Sequence, residues 1–236
     1  MKAALLTEYG KPLQLVDMPV PVPAAGEALV RTRASGMCRT DLKIAKGFMA
    51  SVRLPHVLGH EVAGEVVDVG AGVDRNLVGS RVTALVDITC GECEYCRDPA
   101  SSYCANLRRV GIETNGGHAE FLCVPAANLV LLPDSIPFDV ASALPDAVGT
   151  TYRAIHTRGQ VRPGQTVVIY GLGGLGLSGV QIAAAAEATV IAVARSPERR
   201  RLAADLGASV LIDPDREDLV DSIRRATGGY GAHLFI

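Results

Sequence analysis

Cys90, Cys93, Cys96 and Cys104 form a C-x2-C-x2-C-x7-C run, and a chain that carries it must fold so that four sulfurs are satisfied within one small lobe. Two-residue gaps let a turn of backbone aim neighbouring sulfurs at a common centre, and four thiolates saturate a tetrahedral Zn²⁺. One zinc ion accounts for the run. A disulfide framework is the competing reading, but such frameworks belong to small secreted chains, and nothing here looks secreted. The N-terminal apolar run Ala3-Ala4-Leu5-Leu6 stops at Thr7-Glu8, too short for a signal-peptide core or a membrane span. The expectation is a cytoplasmic protein with no membrane partner.

With 236 residues, 48% of them hydrophobic, the chain can bury a sizeable core in one large or two modest domains. Lys+Arg of 23 against Asp+Glu of 25 leaves a net charge of −2, so the field that would hold a polyanion is missing. Trp is absent and aromatics are 4%, which removes the stacking platforms of a single-strand binder. Nucleic acid is therefore not an expected partner. The densest charge run, Glu198-Arg199-Arg200-Arg201, reads as a solvated helix face.

Two textures divide the chain near residue 145. The first part reads as short β runs broken by Gly and Pro: Ala28-Arg33, Val62-Val69, Arg81-Val86, Ala119-Val124 and Leu129-Leu132. After Pro163-Gly164, strand alternates with helix. Val167-Tyr170, Val190-Ala194, Val210-Ile212 and His233-Ile236 are expected strands; Leu175-Ala186, Glu198-Leu206 and Arg216-Ala226 are expected helices. That alternation predicts a parallel α/β sheet.

Gly171-Leu172-Gly173-Gly174-Leu175-Gly176 fits G-x-G-x-x-G directly after a strand and at the opening of a helix, where the dinucleotide mechanism needs it. Gly171 would allow the tight turn, Gly173 and its neighbour Gly174 the approach of backbone to a pyrophosphate, and Gly176 the close packing of helix on strand. A structural Gly-rich turn is the alternative for the loop taken alone. An acidic residue at the end of the second strand would mark NAD, but that strand ends Val193-Ala194-Arg195-Ser196. Arg195 and Ser196 can hold a 2′-phosphate that a carboxylate would repel, which favours NADP over NAD. The plainer reading of Arg195 is a surface charge flanking a helix.

Gly59-His60-Glu61 opens the run to Gly70, and Cys38-Arg39-Thr40-Asp41 stands upstream. Together with the four-cysteine lobe and the glycine loop, in this order, these residues resemble the zinc-containing alcohol dehydrogenases of the medium-chain dehydrogenase/reductase family. The resemblance covers the whole chain. The motifs are specific as a set, since the quinone-reductase branch of that superfamily has neither zinc site. It implies an enzyme interconverting an alcohol with an aldehyde or ketone, two zinc ions per chain, a nicotinamide cofactor and a homo-oligomeric parent protein.

On that resemblance Cys38 and His60 correspond to ligands of a second, catalytic zinc, and Glu61 to a ligand or near neighbour that exchanges with water. Asp146, in Leu144-Pro145-Asp146, stands where the family places its remaining Cys or Asp ligand. Three protein ligands and one open position is a geometry for which alcohol dehydrogenases are themselves the standing example, and a mixed Cys/His/Asp set suits zinc. Thr40 corresponds to the hydroxyl that takes the substrate proton, and Asp41 to the carboxylate that orients the ligand histidine. Arg39 corresponds to a pyrophosphate contact and Thr150 to a residue lining the nicotinamide. For Thr40 and Asp41 the alternative is an ordinary turn. Where many relatives pass the proton on through a histidine, this chain has Lys43, which at its ordinary pKa cannot accept one at neutral pH, so either its pKa is depressed or water completes the path. Cys123 reads as a core strand residue, and His56, His118, His156 and His233 as structural or surface residues.

The expected fold is α/β plus β: a GroES-like, β-rich catalytic domain over residues 1–145, then a partial Rossmann domain over residues 146–236. A complete doubly wound sheet has about six strands in the order 3-2-1-4-5-6, whereas only the first four are expected here. The final apolar run ends the chain in mid-strand, so the chain reads as C-terminally truncated. A catalytically inactive zinc-binding fragment is then the alternative to an active enzyme. A zinc-ribbon binding module would need basic or aromatic residues around the cysteines, where Glu92, Glu94 and Asp98 stand instead.

Overall fold

The computed structural model describes residues 1–97 and 103–236, so Asp98 lies outside the described residues. Two compact units divide the chain, Met1–Asp146 and Ala147–Ile236. Among the described residues no helix is long and apolar enough to cross a membrane.

The first unit contains β1 (Lys2–Leu6), β2 (Gln14–Asp17), β3 (Glu27–Gly36), α1 (Arg39–Ala45), β4 (His56–Val57), β5 (Glu61–Val69), β6 (Arg81–Ala84), β7 (Asp87–Ile88), β8 (Arg108–Arg109), β9 (Phe121–Pro125), β10 (Leu129–Leu131) and α2 (Phe138–Ser142). Five strands form an antiparallel sheet in the order β10-β6-β5-β3-β9. Its core is β-branched: Val30, Val62, Val66, Val82 and Val124 interlock with Leu122, each buried side chain contributing about 1.5–3 kcal/mol. A Cβ on Gly64 would run into the Arg31 carbonyl of the partner strand, so only glycine lets the two central strands approach this closely.

The register of those central strands positions the site. Gly36 at the end of β3 pairs with Glu61 at the start of β5. The residues that follow one strand and precede the other, Cys38 and His60, therefore emerge at the same end of the sheet. α1 begins at once with a capping box: the Thr40 N–H donates to Cys38 Sγ at 3.5 Å, and the Cys38 N–H donates to Asp41 Oδ2 at 2.9 Å.

The second unit contains α3 (Gly149–Tyr152), β11 (Thr166–Tyr170), α4 (Gly174–Ala185), β12 (Thr189–Val193), α5 (Pro197–Asp205), β13 (Val210–Ile212), α6 (Leu219–Ala226) and β14 (Leu234–Phe235). Its four strands are parallel in the order β13-β12-β11-β14. β12 is buried from Val190 to Val193, the near-continuous apolar run of a strand covered on both faces. A β-rich first unit and a parallel α/β sheet in the second agree with the expected fold class.

Several elements depart from the expected pattern. The sheet β2-β1-β4 has no counterpart in the expected strands, because β4 has two residues and β2 is largely exposed. The helix expected from Arg216 starts at Leu219. Asp213 O accepts the N–H groups of both Arg216 and Glu217 in a turn, and Asp218 then caps the helix through the Asp221 N–H at 2.9 Å. The segment Leu144–Val148 is a widened π-helical turn; Pro145 lacks an N–H and crowds the carbonyl four residues back, which opens the turn there.

Candidate active site

Cys38, His60 and Asp146 converge, each offering one ligand atom within 4.8 Å of the others. Asp146 Oδ2 lies 3.4 Å from Cys38 Sγ and 3.3 Å from His60 Nε2. The three residues come from the N-cap of α1, the residue before β5 and the widened turn after α2. Cys38 and Asp146 are half-buried, and His60 is 2% exposed.

The electrostatics of this cluster ask for a cation. Burial would lower the His60 pKa, but the carboxylates of Asp146 and Asp41 outweigh it and raise it to about 11. In the metal-free protein the imidazole thus holds a proton between two acids. A divalent ion held by Sγ, Nε2 and Oδ2 would supply the same positive charge, and a thiolate, an imidazole and a carboxylate are a donor set that zinc accepts. The residues fit the metal.

Asp41 sits behind this cluster, buried, with its oxygens shared among several groups. Oδ2 takes the Cys38 N–H; Oδ1 takes the Gly59 N–H at 3.3 Å and lies 3.4 Å from His60 Nδ1. Nδ1 itself makes no aligned hydrogen bond. Burial opposes ionisation of Asp41, yet contact with His60 and the Cys38 N–H holds its carboxyl below the usual range.

The other expected site residues lie outside the three-residue ligand group. Glu61 is buried, but its carboxylate packs against Gly36, where a Cβ would collide with it, and it does not join the three-residue group. On α1, Thr40 is half-buried, while Arg39 and Lys43 are exposed. Thr150 is exposed on α3. His118, expected to be structural or surface, lies beside the cluster: its Nε2 is 3.9 Å from Asp41 Oδ2 and its Nδ1 is 2.8 Å from Ser35 Oγ. No spacing signals this, because Ser35 and His118 are 83 residues apart.

The four cysteines form a second group with ligand atoms within 4.8 Å of one another. Sγ separations are 3.8 Å for Cys90–Cys96, 3.4 Å for Cys93–Cys96 and 3.5 Å for Cys104–Cys90. A disulfide needs about 2.0 Å, and all four thiols are free. A tetrahedron of Zn–S bonds of about 2.3 Å has edges of about 3.8 Å, so the cage is already the size of the ion. Backbone N–H groups of Glu92 and Cys93 pull the Cys90 thiol down to about 6, whereas desolvation and then the neighbouring sulfurs push Cys96 up to about 11. Four crowded thiols do not all ionise without a cation among them.

In the second unit, Gly171 has φ +94°, a left-handed conformation that glycine adopts freely. A Cβ on Gly176 would strike the Gly171 carbonyl, while one on Gly173 or Gly174 would meet nothing within 4 Å. The turn thus packs tightly on its inner side and leaves backbone open on the other, as a pyrophosphate cradle requires. Arg195 is exposed and pairs with Asp215 at 3.7 Å; Ser196 caps α5 through the Arg199 N–H at 3.3 Å. The arginine run expected to be a solvated face is partly turned inward. Arg199 donates to the Leu172 carbonyl of the glycine loop at 2.6 Å, and Arg200 pairs with Asp213 at 3.0 Å and reaches the carbonyls of Ala194 and Arg195.

Comparison with known proteins gives a consistent picture. Residues 24–134 match the family model for the alcohol dehydrogenase GroES-like domain, and residues 174–236 match that for the zinc-binding dehydrogenase. An alcohol dehydrogenase of Geobacillus stearothermophilus is 38% identical over 234 residues, covering 98% of this chain and 69% of that protein. A crystal structure of an NAD-dependent alcohol dehydrogenase superposes with a TM-score of 0.93 at 34% identity, covering 98% of this chain and 69% of the other. A zinc-binding dehydrogenase from Sinorhizobium meliloti 1021, bound to NADP, superposes with a TM-score of 0.87 at 33% identity over 93% of this chain and 64% of the other.

Proposed function

The chain belongs to the zinc-binding alcohol dehydrogenases of the medium-chain dehydrogenase/reductase family, which are NAD(P)-dependent oxidoreductases, and from that membership we propose that it moves a hydride between a small alcohol and NADP. One zinc belongs at Cys38, His60 and Asp146, and a second at Cys90, Cys93, Cys96 and Cys104. The convergence of Cys38, His60 and Asp146 within 4.8 Å is the observation that carries this reading.

At the first site bound zinc supplies Lewis acidity toward the substrate oxygen. The chain's residues do the rest. Asp41 faces Nδ1 of His60 and keeps Nε2 turned toward Cys38 and Asp146, fixing ring orientation from behind. The Thr40 hydroxyl, two residues past Cys38, would take the proton of the substrate hydroxyl; a bound nicotinamide cofactor would supply the hydride acceptor. Beyond Thr40 water would complete the path to solvent, past the exposed Lys43 three residues further along α1. Glu61 stays close by as a reserve carboxylate.

In the second unit Gly171, Gly173, Gly174 and Gly176 would cradle the pyrophosphate, and Thr150 would line the nicotinamide. NADP preference rests on Ala194 in place of a carboxylate and on the cationic Arg195 beside Ser196. The four-cysteine zinc, with every position taken by sulfur, braces its lobe and has no place for substrate.

The test is aldehyde or ketone reduction with NADPH and with NADH on protein of known metal content. Turnover with a lower KM for NADPH than NADH is expected. Equal or better use of NADH removes the cofactor assignment, and two zinc ions per chain without turnover would make the chain an inert zinc-binding unit.

A further inference from the structure

The half-buried pair Ser35 and His118 joins neither group of candidate metal ligands among the described residues, yet it is wedged against the peptide that presents His60. A Cβ placed on Gly59 would come within 2.6 Å of His118 Nδ1 and 2.8 Å of Ser35 Oγ. The pair therefore occupies the space that a side chain at 59 would fill. Its backbone is pinned from both sides: the His118 N–H donates to the Leu58 carbonyl at 2.9 Å, and the His118 carbonyl accepts the Ala4 N–H at 2.8 Å. Beside it, Gly117 N–H donates to the Gly59 carbonyl at 2.7 Å. The segment is thus stitched directly to the two residues that precede His60.

The side chain then points to one place. Ser35 Oγ and His118 Nδ1 are 2.8 Å apart, which leaves Nε2 facing Asp41 Oδ2 at 3.9 Å. That separation exceeds hydrogen-bond reach, so His118 offers Asp41 a wall and not a bond; in the tautomer where the Ser35 hydroxyl donates to Nδ1, the Nε2 N–H dipole faces Asp41. Asp41 needs such a wall. Its two oxygens serve the Cys38 N–H, the Gly59 N–H and the His60 ring at 2.9, 3.3 and 3.4 Å. A carboxylate rotated by one rotamer would abandon all three.

We propose that Ser35 and His118 are positioning residues for the metal at Cys38, His60 and Asp146: they lock the Asp41 carboxylate, and through it the His60 ring, in the orientation the ion requires. This rests on reading those three residues as a metal site. Partners one step behind a ligand typically govern metal affinity by about 10- to 100-fold, and a pair one step further out belongs at the low end of that range.

The test uses the zinc-loaded full chain under chelator challenge, with zinc release timed and a cobalt-substituted sample followed optically in parallel. Cobalt bound by one thiolate absorbs differently from cobalt bound by four, so the two sites are read separately. His118→Phe keeps a ring of similar volume and removes the N–H; it is expected to release the metal of the Cys38 site about tenfold faster, with the four-cysteine metal unchanged. Ser35→Ala should move the same way to a smaller extent, and His118→Gln, which returns an N–H at similar reach, should restore much of the loss. Wild-type release rates in both His118→Phe and Ser35→Ala would overturn the proposal, as would equal acceleration at both sites. A wild-type protein that holds metal only at the four cysteines would instead overturn the metal site itself, and the proposal with it.

Discussion

Asp41 Oδ1 stands 3.4 Å from Nδ1 of His60, and on the far side of the same ring Asp146 Oδ2 stands 3.3 Å from Nε2. The imidazole is held along an axis between two acids, one for the metal and one for the protein. Asp41→Asn keeps the shape and removes the charge. It should weaken metal binding at the Cys38 site by about 10- to 100-fold and leave the four-cysteine metal in place. Equilibrium metal titration checks this, and unchanged affinity would contradict it.

The same geometry fixes a pH dependence. The His60 pKa is raised to about 11 in the metal-free fold, against about 6.5 for an unfolded chain. Its stabilising effect is therefore fully present below about pH 6.5 and is lost as pH rises toward 11. Zinc and this proton compete for one lone pair, so zinc uptake must expel the proton. Apparent affinity at the site should rise at least about tenfold per pH unit through the neutral range. Calorimetry in buffers of different ionisation heat measures the released proton; affinity flat with pH would count against the assignment.

Arg195→Ala removes one cation from the end of β12. A charge-assisted hydrogen bond to a phosphate is worth about 1.5–3 kcal/mol, so kcat/KM with NADPH should fall about 10- to 100-fold while that with NADH barely changes. A parallel loss with both cofactors would assign Arg195 to folding instead.

Lys43→His places a group titrating near pH 6.5 where an exposed lysine now stands. The pH–rate profile should shift toward the acid side. Identical profiles would remove Lys43 from the proton path.

How much of this was readable depends on distance along the chain. The four cysteines and the glycine loop each lie within one short segment, so spacing and strand context alone expose them. Asp146 lies 108 residues from Cys38 and 86 from His60; periodicity carries no trace of that convergence, and it was legible only through family resemblance. The Ser35–His118 pair had neither signal. Its one local hint is Gly116-Gly117, where any Cβ would strike the Leu58–Gly59 backbone or the Val62 side chain. Of the charge run only Arg200 departs from a solvated face, because such a run looks solvated unless the carbonyls and carboxylate beneath it are known. The small sheet β2-β1-β4 escaped notice because strands of two to five residues carry too little alternation to stand out.

Cys38, His60 and Asp146 should bind a zinc ion separate from the four-cysteine zinc and needed for turnover. Metal content of the wild type beside Asp146→Ala, measured by atomic spectroscopy after gel filtration, addresses it directly. About two zinc ions per chain should fall to about one, with alcohol oxidation lost and the four-cysteine metal retained. Equal metal content in the two proteins, with turnover preserved, would contradict it.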